Sequence, residues 1–313
     1  MRVVFMGTSS FAVPCLKALV HTEYEIITVV TQPDRPKGRG NQVYPSPVKE
    51  LCLELGLPVF QPDKVKNPEN VAYLKKLAPE LIVVVAYGQI LSSEILSLPT
   101  LGSINVHGSL LPAYRGSAPI HWAIINGEKE TGVSTMYMTP GLDSGDVILQ
   151  QKVPIGATTT VGQLHDNLAE EGAQLLLKTL DLIAQGKAPR IPQDETKVSF
   201  APPLTRENEK INWTQSNQQI LNLIRGMNPW PGAYTTLENK ILKIWAGECV
   251  PDEKKVQPGT IIAANKNGIL VKCGEGGLKI TEIQPQGKKK MSAAAFICGN
   301  KIDLETILGN EEQ

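Results

Sequence analysis

Three polar side chains carry the chemical potential of this sequence. Along a strand, side chains alternate between faces, so Asn105 and His107 in Ser103-Ile104-Asn105-Val106-His107 point the same way. They stand where an apolar run gives out at Gly108, at the carboxyl end of a strand, the edge at which open α/β sheets bind ligands. An amide donates hydrogen bonds and an imidazole moves protons near neutral pH. The plainer reading is a strand whose polar end bonds a loop. The loop that follows, His107 to Gly116, carries the apolar residues Leu110, Leu111 and Pro112, two glycines and Arg115, and resembles the wall of a small-molecule pocket. Further on, Thr139-Pro140-Gly141-Leu142-Asp143-Ser144-Gly145-Asp146 reads as a tight turn between two strands. Asp143 or Asp146 either caps that turn or supplies a carboxylate near His107.

The elements that must position these residues follow from periodicity. Val3 to Met6, Glu25 to Val30, Leu81 to Val85 and Ile104 to Val106 are short apolar or β-branched runs. Helical patterns lie between and after them, at about Phe11 to Val20, from Ser117-Ala118-Pro119 to Asn126-Gly127, and from about Thr160 to Gln185. The alternation predicts a doubly wound, Rossmann-like α/β domain. The Gly7-Thr8-Ser9-Ser10 turn can present backbone amides to an anion but lacks the glycine pattern of a dinucleotide site. Lys187 to Leu204 holds four prolines without periodicity and reads as an interdomain linker. Beyond it come a helix at about Ser216 to Met227 and five short strand-like runs between Ala233 and Ile283. They suggest a small OB-like β-barrel. The expected domains are 1–204, linker included, and 205–313.

Composition excludes several classes. With 313 residues, 42% hydrophobic and 20% charged, the chain can bury a sizeable core without staples. Its net charge of zero gives no general polyanion-binding surface, although a local basic patch remains open. The five cysteines are odd in number and form neither a C-x-x-C nor a Cys/His cluster, so no disulfide framework, zinc site or other metal site is expected. Free thiols fit a reducing cytoplasm. The first apolar run is too short for a signal peptide, and no stretch is long enough to span a membrane. Nothing demands a dimer, so a monomer is expected.

Taken together, Asn105-x-His107, Ser109-Leu110-Leu111-Pro112-x-x-Arg115-Gly116 and Gly141-Leu142-Asp143-x-Gly145 resemble the core motif of the folate-dependent formyltransferases. The resemblance covers nearly the whole chain. It implies Asn105, His107 and Asp143 as the catalytic set, and 10-formyltetrahydrofolate as cosubstrate. In such chemistry an amine attacks the formyl carbon and negative charge grows on the formyl oxygen. Asn105 and His107 supply donors there, and Asp143 orients the histidine and relays a proton. No covalent nucleophile or metal is called for. The resemblance places the folate between Ala86 to Leu91, with Gly88, Ile90 and Leu91, and the loop at Gly141, in contact with Ser109, Leu110, Leu111 and Pro112. Tyr87 is either part of that slot or core.

Relatives sharing this core use different acceptors, so the acceptor is read elsewhere. The loop Thr31 to Gly40 carries Arg35, Lys37 and Arg39 against Asp34. By itself it is a solvated loop or a phosphate grip. It resembles the insertion that enters the acceptor stem in the branch of the family acting on methionyl-tRNA, and Arg39 matches the arginine important there. Asn228-Pro229-Trp230-Pro231-Gly232 and the Lys288-Lys289-Lys290 run resemble signatures of the same branch. Initiator methionyl-tRNA is therefore the expected acceptor, an amino-sugar nucleotide the alternative. Pro203 departs from the pattern, where a lysine is expected in the linker.

Overall fold

The computed structural model describes residues 1–36, 43–300 and 302–310. Lys37 and Arg39 of the basic loop lie outside the described residues. Packing divides the chain into two compact units. One comprises 1–119, 130–154 and 165–201, and the other 120–129, 155–164 and 202–313.

The first unit is built on seven strands: β1 (Arg2–Gly7), β2 (Glu25–Val30), β3 (Val59–Phe60), β4 (Leu81–Val85), β5 (Ser103–His107), β6 (Glu130–Tyr137) and β7 (Val147–Pro154). Their order across the sheet is β7-β6-β5-β4-β1-β2-β3. The five strands from β5 to β3 are parallel, and β6 and β7 add an antiparallel hairpin beyond β5. The continuous apolar run of β4 is explained by burial at all five of its positions, as a parallel strand covered on both faces requires. On one face Val4, Met6, Val30, Ile82 and Val84 pack with Val71, Leu74, Leu91 and Ile95. Tyr87 lies in that cluster and is core, its hydroxyl buried without a partner among the described residues.

The long helix Val161–Ala184 turns Leu168, Leu175, Leu176 and Leu180 inward. Gly172 lets it close on the sheet, because a Cβ there would stand 3.1 Å from Val106 and 3.5 Å from Val133. Its Thr179 hydroxyl meets that of Thr135 at 2.8 Å, so neither buried group is left unpaired. These contacts fix the strand that carries Asn105 and His107 from behind.

The segment 187–204 behaves as more than a connector. As far as Ala201 it is an ordered strap on the first unit. Ile191 exchanges backbone hydrogen bonds with Val147, and Phe200–Ala201 pairs in parallel with Arg115–Gly116. Between these anchors, hydrogen bonds from Thr196 and Lys197 hold the Asp194 carboxyl down at about 2.

In the second unit, β8 (Tyr234–Leu237), β9 (Lys240–Val250), β10 (Ile261–Asn265), β11 (Gly268–Lys272) and β12 (Gly277–Pro285) form an antiparallel sheet in the order β8-β9-β12-β11-β10. Bulges between Ile244 and Gly247 bend the long strand β9. Ile220, Leu223 and Ile224 of the helix Asn217–Gly226 join Ile244, Val271, Leu278 and Ile280 in its core. The same helix explains why two segments from earlier in the chain belong here. Gly127 meets Asn222, Gly226 meets Ile125, and the buried Arg225 donates to the carbonyls of Gly156 and Thr159 at 3.1 and 3.3 Å. Packing, and not one cut near residue 204, therefore divides this chain.

That helix opens on a capping box: the Ser216 hydroxyl accepts from the Gln219 amide, and the Gln219 side chain accepts from the Ser216 amide. Ser216→Ala removes one half of the exchange and should cost about 1 kcal/mol. The expected reading is a lower urea midpoint with an unchanged slope.

Candidate active site

Strand β5 delivers Asn105 and His107 to the carboxyl edge of the sheet, between β4 and β6. Asn105 and His107 are 8% and 6% exposed. Among the described residues, nothing hydrogen-bonds the Asn105 amide, so a nearly buried donor is left for something outside the protein. The imidazole of His107 is held by contrast. Its Nε2 lies 3.0 Å from the Tyr114 carbonyl. A carbonyl only accepts, so Nε2 carries the proton and Nδ1 is the nitrogen left for chemistry. Nδ1 stands 3.8 Å from Oδ2 of Asp143.

Asp143 reaches that position from the hairpin between β6 and β7. Its Oδ2 accepts a 2.8 Å hydrogen bond from the Gly116 amide, which holds the carboxylate in place. Asp146, the other candidate in the turn, lies near Arg190 at 3.9 Å. It is Asp143 that the structure brings to His107. In this turn neither Gly141 nor Gly145 takes the left-handed conformation, and Asp143 does, at φ 45°. The glycines serve close approach. A Cβ on Gly145 would fall 1.8 Å from the Tyr137 carbonyl oxygen, and one on Gly141 2.2 Å from the Ser144 hydroxyl.

The loop 114–116 is thus a hinge between the two catalytic candidates, offering a carbonyl to one and an amide to the other. Gly116 sits at φ 126°, with the Ala201 carbonyl oxygen 2.5 Å from where a Cβ would be. In the sequence Gly116 stands out only as part of a loop motif. Its amide cannot be recognised as the partner of Asp143 without the pairing that brings the strap alongside.

The residues expected to hold folate separate into two groups. Gly88, at φ 84°, Ile90 and Gly141 are exposed, and so is Leu142. Ile90, at 88% exposure, has no packing reason to be apolar. Ser109, Leu91 and Leu111 are committed inward. Ser109 donates to the Ala113 carbonyl at 2.6 Å, Leu91 joins the core beside Tyr87, and Leu111 packs with Met136 and Val147. Leu110 and Pro112 are half-buried.

Of the basic residues, Arg35 is exposed and donates to the Gln32 side chain at 2.9 Å. Gln32 in turn donates to the Gly88 carbonyl at 2.9 Å. Lys288, Lys289 and Lys290 are exposed in the second unit, Lys290 paired with Glu282 at 2.6 Å. Three of the five thiols are poor nucleophiles: burial pushes Cys15 up to about 12, Cys52 to about 11 and Cys273 to about 12.

Known proteins resemble this one over its full length. Residues 1–180 match the formyl transferase family model, and residues 203–301 match that of the formyl transferase C-terminal domain. The methionyl-tRNA formyltransferase of Pelotomaculum thermopropionicum is 53% identical over 310 residues, covering 99% of each chain. That of Desulforamulus reducens is 52% identical over 313 residues, covering 99% of this chain and 98% of the relative. Among solved structures, the N-formyltransferase from Helicobacter canadensis in complex with folinic acid and dTDP-3-aminofucose aligns over 92% of this chain and 99% of its own. Its TM-score is 0.66 at 19% identity, a likeness of fold. HypX from Aquifex aeolicus in complex with tetrahydrofolic acid aligns over 98% of this chain and 50% of its own, with TM-score 0.64 at 19% identity. The chain belongs to the formyltransferase family and, within it, to the methionyl-tRNA formyltransferases.

Proposed function

We propose that this enzyme transfers the formyl group of 10-formyltetrahydrofolate to the free amino group of methionyl initiator tRNA, with Asn105, His107 and Asp143 as the catalytic set. The observation that carries the assignment of residues is the convergence at the end of β5. An unspent amide, an imidazole with one free nitrogen and a carboxylate 3.8 Å from that nitrogen meet at one sheet edge. The full-length identity to methionyl-tRNA formyltransferases supports the acceptor.

Bound folate supplies the formyl carbon. The protein's task is to stabilise charge and move protons around it. The Asn105 amide donates to the formyl oxygen, where negative charge grows, and a fixed donor at such an atom is worth roughly 3–4 kcal/mol. The methionyl amine is itself the nucleophile, so its new bond to carbon releases a proton. His107 Nδ1 and the Asp143 carboxylate take up that proton and return one to the departing folate nitrogen. Their 3.8 Å separation closes to a hydrogen bond with a small movement, as catalytic contacts commonly do when substrate binds.

Exposed apolar Ile90 and Leu142, beside the exposed Gly88 and Gly141, suit the faces of a flat pterin. Half-buried Leu110 and Pro112 line the approach, while Ser109, Leu91 and Leu111 shape it from within. For the acceptor, Arg35, Lys37 and Arg39 grip the backbone of the acceptor stem, and Lys288, Lys289 and Lys290 add a second basic contact. We place the enzyme in the cytoplasm as a monomer. Among the described residues no helix is long and apolar enough to cross a membrane, and the buried thiols are free.

Asn105→Ala should lower kcat by roughly 10²–10³-fold, with KM for both substrates little changed. Asp143→Asn, which keeps an oxygen for the Gly116 amide and removes the charge, should cost about 10²-fold or more. Steady-state kinetics on both variants checks this, and wild-type kcat in either would remove that residue from the mechanism. For the acceptor, transfer of label from 10-formyltetrahydrofolate is measured with methionyl-tRNA and a nucleotide-linked amino sugar in competition. Label is expected on methionyl-tRNA alone, with a marked loss in Arg39→Ala. Label on the sugar, indifferent to that substitution, would overturn the acceptor assignment.

A further inference from the structure

We propose that Gln193, on the strap that follows the catalytic domain's last helix, is a positioning residue that holds Asp143 in register with His107. The inference rests on the reading of Asp143 as a catalytic group.

The carboxamide of Gln193 is fully used. Its Nε2 donates to the carbonyls of Asp143 and Gly145, at 2.8 and 2.7 Å. Its Oε1 accepts from Nε and Nη2 of Arg115, at 3.0 and 2.9 Å. A carboxamide has two N–H donors and two acceptor lone pairs, so each has a partner. The orientation is also unambiguous, because the two carbonyls can only accept and the guanidinium can only donate. Arg115 is 5% exposed and places two further donors on Glu195, at 2.8 and 3.3 Å. Its neighbour Gly116 holds the Asp143 carboxylate by its amide. Asp143 is therefore gripped at both ends, at the carboxylate by Gly116 and at the main chain by Gln193, and Arg115 joins the two grips.

Asp143 needs such a grip. A non-glycine residue at φ 45° is held in a sparsely populated conformation, which persists where its surroundings over-determine it. Two hydrogen bonds to its own carbonyl and to the next but one supply that. Gln193 lies 50 residues downstream of Asp143 and is brought back by the Ile191 and Phe200–Ala201 pairings. The strap thus completes the active site without touching substrate.

A double-mutant cycle separates positioning from general stabilisation. Gln193→Met keeps the volume and removes all four hydrogen bonds. Gln193→Glu keeps an acceptor for Arg115 and removes both donors to the turn. Both should lower kcat roughly tenfold to a hundredfold, with KM for both substrates within about twofold, since a small displacement of a catalytic group costs on that scale. In an Asp143→Asn background the same substitutions should cost less than about twofold. Thermal unfolding of each protein checks that the fold is retained, and Gln193→Glu serves if Gln193→Met does not fold. An equal loss in both backgrounds, or kcat unchanged in both variants, would overturn the inference and leave the role of Asp143 intact. A silent Asp143→Asn would overturn that role and, with it, the inference.

Discussion

The separation of His107 Nδ1 from Asp143 Oδ2, 3.8 Å, is what the first unit is arranged to hold. Neither side chain can set it alone. His107 ends a buried parallel strand, and Asp143 sits on a hairpin turn 36 residues later. The two meet only because the loop 114–116 bonds to both, through the Tyr114 carbonyl and the Gly116 amide. Chain geometry at that loop leaves no slack. Tyr114 and Gly116 both have positive φ, and the Ala201 carbonyl lies where a Gly116 side chain would have to go.

The energetic logic is one of layers. The sheet core is apolar and tightly packed, so β5 is a rigid platform whose end residues are placed by the burial of the strand. On that platform the polar groups are largely satisfied by one another: His107 Nε2 donates to the Tyr114 carbonyl, Ser134 donates to the Ser109 carbonyl at 2.6 Å, Ser109 donates to Ala113, and Arg115 bonds Gln193 and Glu195. Against this background the unspent Asn105 amide is conspicuous. Unlike the Tyr87 hydroxyl, which also lacks a partner among the described residues but lies in the core, the Asn105 amide stands at the carboxyl edge of the sheet.

Much of this was legible from residue order. The β-branched run of Glu25 to Val30 and the apolar run of Leu81 to Val85 coincide with their strands, the second because a strand buried on both faces has to be apolar throughout. The helix from about residue 160 to 185 was readable because leucine spacing, the Gly186 stop and burial agree. Boundaries of the second unit's strands run longer than their apolar cores. Lys240 to Val250, for example, continues past Ala246 because bulges and backbone pairing extend a strand that hydrophobicity no longer marks. The segment 187–204 was readable only as prolines without period. Its order comes from pairing with Arg115–Gly116 and Val147, partners far away in sequence.

By itself the sequence determined the chemistry on offer. Alternation put Asn105 and His107 on one face, the turn signals put an aspartate within reach, and the combined motif specified the family. Those are local properties, set by the pitch of a strand and the types of neighbouring residues. Tertiary structure decided which aspartate approaches the histidine, which ring nitrogen is free, and that Tyr87, Leu91 and Leu111 are core while Ile90 and Leu142 face outward. It also decided the place of Gln193. Each of these depends on contacts between residues tens of positions apart, and such contacts exist only once burial of the sheet has fixed where every loop must end.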